Sequence, residues 1–255
     1  MYPKTIDAMN KIICVIIPAY NEEKRLQIDS FQTFATQNSS VHLLLVNDGS
    51  TDQTAITISQ ITAICSNVSL LDLPTNKGKG NAVKEGMCYA IKNIPARYYA
   101  YLDADLSTPF TELFLLQNEL EKDEKLLMVF GSRIMKMGSK ISRKAYRHYL
   151  GRVVATFISL QLGLAIYDTQ CGAKMFKATI VNSLFDKPFI SQWLFDVEIF
   201  NRLLILYPKI EVQQKIKEIA LNTWEDVDGS KIGVLDTIRT PIDLFKIAIY
   251  YAKNK

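Results

Sequence analysis

The chain predicts an α/β fold with a mostly parallel central sheet flanked by helices, and three observations carry that expectation. Short β-rich runs alternate with longer helical patterns through the first half. Two of the runs, Ile-Ile-Cys-Val-Ile-Ile and Leu-Leu-Leu-Val, are continuously apolar, as strands covered on both faces should be. Polar clusters follow directly on the ends of the runs, where ligands collect in parallel sheets.

Taken in order, the first strand is expected at 12–17, and it runs into Pro18-Ala19-Tyr20-Asn21-Glu22-Glu23. A second, at 41–46, ends in Asn47-Asp48-Gly49-Ser50, and Ser50-Thr51-Asp52-Gln53 has the form of a capping box opening a helix. The third, at 68–73, precedes Asn76-Lys77-Gly78-Lys79-Gly80 and a helix at 81–91. The fourth, at 98–102, delivers Asp103-Ala104-Asp105; Thr108-Pro109 with Glu112 then starts a helix, and a fifth strand is expected at 126–130. The C-terminal half carries amphipathic helical patterns around 153–167 and 242–251.

Composition sets limits on function. A chain of 255 residues that is 48% hydrophobic and 22% charged can bury a sizeable core, and a single domain spanning 1–255 is expected. The four cysteines form no C-x-x-C pair and read as reduced thiols, which suits a cytoplasmic setting. Only two histidines occur, far apart, which disfavours a histidine-rich zinc site and leaves carboxylates as metal ligands. The first residues lack the pattern of a signal peptide. The stretch 153–167 is interrupted by Thr156, Ser159 and Gln161 and falls short of the roughly 20 residues that span a bilayer.

Asp103 and Asp105, at i and i+2 on a strand, would aim two carboxylates at one Mg²⁺ or Mn²⁺ while Ala104 admits a ligand; a solvated turn with Asp105 as a helix cap is the plainer alternative. Tyr20 can stack on a base and Asp48 can accept from a ring N–H, although a surface aromatic and an ordinary turn explain each one alone. Lys79 stands in a glycine-bearing loop that could approach phosphate. No G-x-G-x-x-G follows the first strand, which disfavours a nicotinamide enzyme.

Val-Ile-Ile-Pro-Ala-Tyr-Asn-Glu-Glu, Val-Asn-Asp-Gly-Ser-Thr-Asp, Asn-Lys-Gly-Lys-Gly and Asp-Ala-Asp, in this order and spacing, resemble family 2 glycosyltransferases of the GT-A, Rossmann-like fold. Asp168-Thr169-Gln170-Cys171-Gly172, Trp193-Leu194-Phe195-Asp196-Val197-Glu198 and Gly229-Ser230-Lys231 are similar to the dolichyl-phosphate β-glucosyltransferase branch, related to dolichol-phosphate mannose synthase, over roughly 11–235.

The resemblance implies that Pro18, Tyr20, Glu22 and Asp48 hold the nucleoside and that Asp103, Ala104 and Asp105 hold diphosphate and metal. By the same likeness Arg133 and Lys231 contact donor phosphate, and Asp168 and Asp196 stand on the acceptor side as sugar-contacting or catalytic groups. Residues 11–133 would form the nucleotide-sugar half and 134–255 the acceptor and membrane-facing half. Asp196 and Glu198 could equally be helix-surface carboxylates paired with Arg202. Asn81 stands where relatives tend to carry glycine, and Ser107 where the mannose synthases carry glutamine.

Between residues 124 and 168 acidic residues are absent while Lys136, Lys140, Arg143, Lys144, Arg147 and Arg152 accumulate ahead of the apolar stretch. That pattern can lie on an anionic bilayer; nucleic acid is disfavoured because no binding motif accompanies it. The eukaryotic relatives begin with a membrane anchor that this chain does not show, so peripheral attachment on the cytoplasmic face is expected. The expected activity is inverting, metal-dependent transfer of a hexose, glucose from UDP-glucose, to a polyprenyl phosphate. GDP-mannose as donor, a soluble acceptor, or a nucleotide-sugar sensor without turnover are the alternatives.

Overall fold

A computed structural model describes residues 12–142, 145–227 and 234–253. In chain order its elements are β1 (Ile13–Ala19), α1 (Ile28–Gln37), β2 (Val41–Asp48), α2 (Thr54–Ile64), β3 (Val68–Leu73), α3 (Lys79–Asn93), β4 (Tyr98–Tyr101), α4 (Thr111–Lys122) and β5 (Met128–Ser132). They continue with β6 (Lys140–Ser142), α5 (Ala145–Leu162), β7 (Lys174–Lys177), α6 (Ala178–Phe185), α7 (Phe195–Leu206), α8 (Lys209–Lys215), β8 (Ile216–Ala220), β9 (Thr223–Glu225) and α9 (Val234–Ala252). All five strands expected from the apolar runs are present. The chain divides into two compact units, the first comprising residues up to Asp105 with Phe176–Asp186, and the second Leu106–Met175 with the residues from Lys187 onward.

In the first unit the strand order is β3-β2-β1-β4. β1 pairs in parallel with β2 from Ile13↔Val41 to Ala19↔Asn47, and with β4 from Ile13↔Tyr98 to Ile16↔Tyr101. Every residue of β2 is buried, which explains why its run reads Leu-Leu-Leu-Val without alternation. The register brings the carboxyl ends of β1, β2 and β4 to one edge, where the polar clusters begin. Pro18 causes no loss there: β4 pairing has already ended opposite Ile16, on the side to which a residue-18 N–H would point. α3 lies close on this sheet at Gly86, where a Cβ would fall 2.6 Å from Ile16 Cγ2 and 2.8 Å from Val46 Cγ2.

The second unit pairs β5 with β8 and β6 with β9, both in parallel. Phe130 of β5 meets Phe200 of α7 edge-on at 5.1 Å in its core. α5 ends at Leu162, and Gly163 follows with φ +65, the left-handed residue that closes many helices. The expected apolar stretch 153–167 is therefore a helix plus its terminating loop. Among the described residues no helix is long and apolar enough to cross a membrane.

Candidate active site

Two loops of the first unit are stitched together backbone to side chain. The Asn21 N–H donates to Ser50 Oγ (2.9 Å), the Thr51 N–H to Asn21 Oδ1 (2.9 Å), the Glu22 N–H to Thr54 Oγ1 (2.7 Å) and the Glu23 N–H to Asp52 Oδ2 (3.2 Å). This network corrects the expected capping box. α2 starts at Thr54, and Gln53 makes no side-chain cap; instead the Gln53 N–H reaches the Glu23 carboxylate and the Thr54 N–H reaches Asp52. Ser50 lies four residues ahead of α2, and its hydroxyl accepts from the Asn21 N–H. The latter residue has φ +49, a left-handed conformation that asparagine tolerates better than most.

Asp48, 2% exposed, accepts from the backbone N–H groups of Lys77 (2.8 Å) and Gly78 (2.9 Å). Burial raises its pKa, and the two N–H bonds act against that rise. It thus holds the loop ahead of α3, and a base N–H would be an additional donor to a carboxylate with lone pairs to spare. α3 begins at Lys79, earlier than the expected Asn81, so Lys79 belongs to a first helical turn. Tyr20 beside them is half-buried.

The acidic pair also departs from expectation. β4 ends at Tyr101, so Asp103 lies in the loop that follows and Ala104 and Asp105 in a turn, and strand alternation does not aim them. Cations hold them instead. Lys79 Nζ stands 2.5 Å from Asp103 Oδ1, and Arg25 Nη2 donates to Asp105 Oδ2 at 2.5 Å while its Nε lies 3.4 Å from Glu22. Leu106, the next residue in the chain, has φ +54. Among the described residues no cluster of three or more candidate ligands occurs, so an ion here would have two protein carboxylates and take its other oxygens from water or phosphate. The donor set fits Mg²⁺ or Mn²⁺: both acids are hard oxygen ligands that already draw positive charge, and Asp103 Oδ1 is buried without a hydrogen-bond donor aligned on it.

In the second unit Arg133 and Asp168 form a two-pronged ion pair, Nε to Oδ2 at 2.7 Å and Nη2 to Oδ1 at 2.8 Å. The guanidinium also stands 5.3 Å from the Trp224 ring. Glu218 accepts from the N–H groups of Tyr167 and Asp168, and burial raises its pKa. Asp196, 4% exposed, receives a 2.6 Å bond from Lys174, whose ammonium also donates to the carbonyls of Thr169 and Cys171. Lys174 is fully buried and held by these groups.

Neither Asp196 nor Glu198 is a surface carboxylate. Glu198, completely buried, accepts from the Ile190 and Ser191 N–H groups and from the Tyr251 hydroxyl, while Arg202 donates to the carbonyls of Lys187 and Pro188. Lys231, Arg143 and Lys144 lie outside the described residues; Arg147 is on α5, its side chain outside them.

Sequence reasoning missed Arg25, Glu218 and Lys174. A signal existed for Lys174 alone, as a single cation inside the apolar run Ala173-Lys174-Met175-Phe176. Arg25 and Glu218 find partners through space, and nothing in their neighbourhoods marks them.

Residues 14–185 match the family described as Glycosyl transferase family 2. A dolichyl-phosphate β-glucosyltransferase of Trichomonas vaginalis is 33% identical over 98% of this chain and 77% of its own length. One from Dictyostelium discoideum is 32% identical over 98% of this chain and 79% of its own. Among solved structures, glucosyl-3-phosphoglycerate synthase from Mycobacterium tuberculosis, crystallised with Mn²⁺, UDP and glucosyl-3-phosphoglycerate, superposes with a TM-score of 0.67. It is 19% identical and covers 93% of this chain and 80% of that one, a likeness of fold.

Proposed function

The chain belongs to glycosyl transferase family 2, in its dolichyl-phosphate β-glucosyltransferase branch, and from that premise we propose that it moves glucose from UDP-glucose, with inversion, onto a polyprenyl phosphate at a membrane surface. The observation that carries the donor half of this reading is the first unit's sheet edge, where the loops after β1, β2 and β4 bring Tyr20, Asp48, Asp103 and Asp105 to the carboxyl ends of adjacent strands. On this reading Pro18, Tyr20, Glu22 and Asp48 bind the nucleoside. Asp103 and Asp105, with Ala104 leaving room between them, would hold Mg²⁺ or Mn²⁺. Bound there, the ion would supply positive charge for the leaving nucleoside diphosphate.

The acceptor oxygen attacks C1 from the face opposite the diphosphate. The new C1–O bond forms as the bond to UDP breaks, its electron pair leaving on the β-phosphate oxygen. Lys79, at the start of α3, would supply positive charge to that departing group, and the family resemblance assigns the same task to Arg133 and Lys231. A phosphate monoester is already anionic, so a strong general base is unnecessary. Asp196, held by the Lys174 ammonium, would orient the acceptor.

Docking to the membrane is supported by two helices of the second unit. α5 exposes Val153, Phe157 and Leu160, and α9 exposes Ile242, Phe245, Ile249 and Tyr250. Lys136, Lys140, Arg143 and Lys144 precede α5 in sequence and Arg147 lies within it, and these would favour an anionic cytoplasmic leaflet; Arg152, also on α5, donates to the Tyr167 carbonyl instead. Residues 1–255 would then act as one transferase domain with a peripheral attachment.

The test is transfer of radiolabelled sugar from a panel of nucleotide-sugars to purified polyprenyl phosphate, with label followed into organic solvent. UDP-glucose should label the lipid. Preference for GDP-mannose would reassign the donor, label on a water-soluble acceptor alone would overturn the lipid reading, and donor binding without turnover would mark a sensor. Asp105→Ala should abolish metal-dependent UDP binding by calorimetry.

A further inference from the structure

We propose that Arg25 and Lys79 are resident counter-cations of the acidic pair, which a divalent ion must displace, so that metal alone binds weakly and metal with a nucleoside diphosphate binds in concert. This inference rests on the donor-site reading above.

The geometry that motivates it lies wholly within the first unit. Lys79 stands on Asp103 and Arg25 on Asp105, both at 2.5 Å, and Arg25 keeps a second contact with Glu22 at 3.4 Å. An ion held by Asp103 and Asp105 would take the oxygens these two side chains now occupy. The pairs are built to open: the four side chains are 20–28% exposed, so each contact is partly screened and modest in strength. Arg25 does not become a stray charge when Asp105 is taken, because Glu22 still anchors it. Its planar N–H donors, released from Asp105, match phosphate oxygens.

Charge balance then decides the order. Before binding, Glu22 and Asp105 share Arg25, and Asp103 faces Lys79. A divalent ion arriving alone crowds the displaced ammonium and guanidinium against new positive charge. Arriving with a diphosphate, it gives both cations an anion to turn to, and the coupling is reciprocal, each ligand tightening the other.

The experiment measures Mn²⁺ binding to the full chain by loss of the free-ion EPR signal, with and without UDP, in parallel with melting curves. Wild type should bind Mn²⁺ weakly alone and more tightly with UDP. Arg25→Gln and Lys79→Gln should each bind Mn²⁺ alone about three- to tenfold more tightly, and UDP should then add less. Arg25→Lys keeps the charge and loses the planar fork, so Mn²⁺ alone should match wild type while the gain from UDP shrinks. Mn²⁺ affinity unchanged or weaker in both glutamine variants, with the UDP gain intact, overturns the inference while leaving the donor site standing. Wild type that binds no Mn²⁺ even with UDP overturns the donor site, and the inference with it. Should Arg25→Gln not fold, Lys79→Gln and Arg25→Lys decide between these outcomes.

Discussion

Arg133 and Asp168 hold each other by two charge-assisted bonds in a partly buried setting, which makes neither one replaceable by a near relative. Arg133→Lys keeps the charge but cannot span both oxygens; turnover of donor should fall on the order of a hundredfold, as for loss of one preorganised donor. Asp168→Asn leaves the guanidinium half-paired and should lower stability by about 3 kcal/mol in chemical denaturation. Glu198 permits a test by pH. Burial raises its pKa above the usual carboxylate value, so its stabilising contribution is complete at acid pH and is lost as pH rises through the raised value. Glu198→Gln cannot ionise. Melting curves from about pH 4 to pH 7 should therefore show wild type losing ground to the variant as pH increases, and parallel curves would refute the assignment.

Among the elements, α3 sets propensity against packing. Alanine in a helix interior is favoured over glycine by about 1 kcal/mol, so helix propensity alone predicts that Gly86→Ala stabilises. Its Cβ would meet Ile16 and Val46 well inside van der Waals contact, and both belong to central strands with nowhere to move. Packing should win, with a loss of about 1–3 kcal/mol in urea unfolding. The loop after β2 is as tightly specified: Gly49 has φ +61, and a Cβ there would lie 2.4 Å from the Thr75 carbonyl carbon. The central strands β1 and β2 were readable because burial on both faces leaves an unbroken apolar run. Helix starts were less so, since α2 is capped from another loop and α3 opens two residues early.

Taken whole, the molecule has a first unit whose polar chemistry gathers at a sheet edge and a second whose helices leave large apolar side chains uncovered. α5 buries Ile158 and Leu162 and α9 buries Ile247 and Tyr251, so each has one face in the core and another that is not. Phe157 and Phe245 are 64% and 67% exposed, more than internal packing would leave. Replacing both by glutamate should abolish co-sedimentation with anionic vesicles while Mn²⁺-dependent UDP binding stays as in wild type. Retained vesicle binding would remove these helices as the docking surface.

The amino-acid order by itself determined the alternation of strands and helices and the family, and it nominated most candidate ligands, because those signals are local: a run, a spacing, a short motif. Which charge answers which was decided only by the tertiary structure. Arg25 lies 80 residues from Asp105 and Lys174 lies 22 from Asp196, and no periodicity reports such a meeting. Electrostatic partners follow distance through space and the burial that strengthens them, and both exist only once the chain has closed on itself.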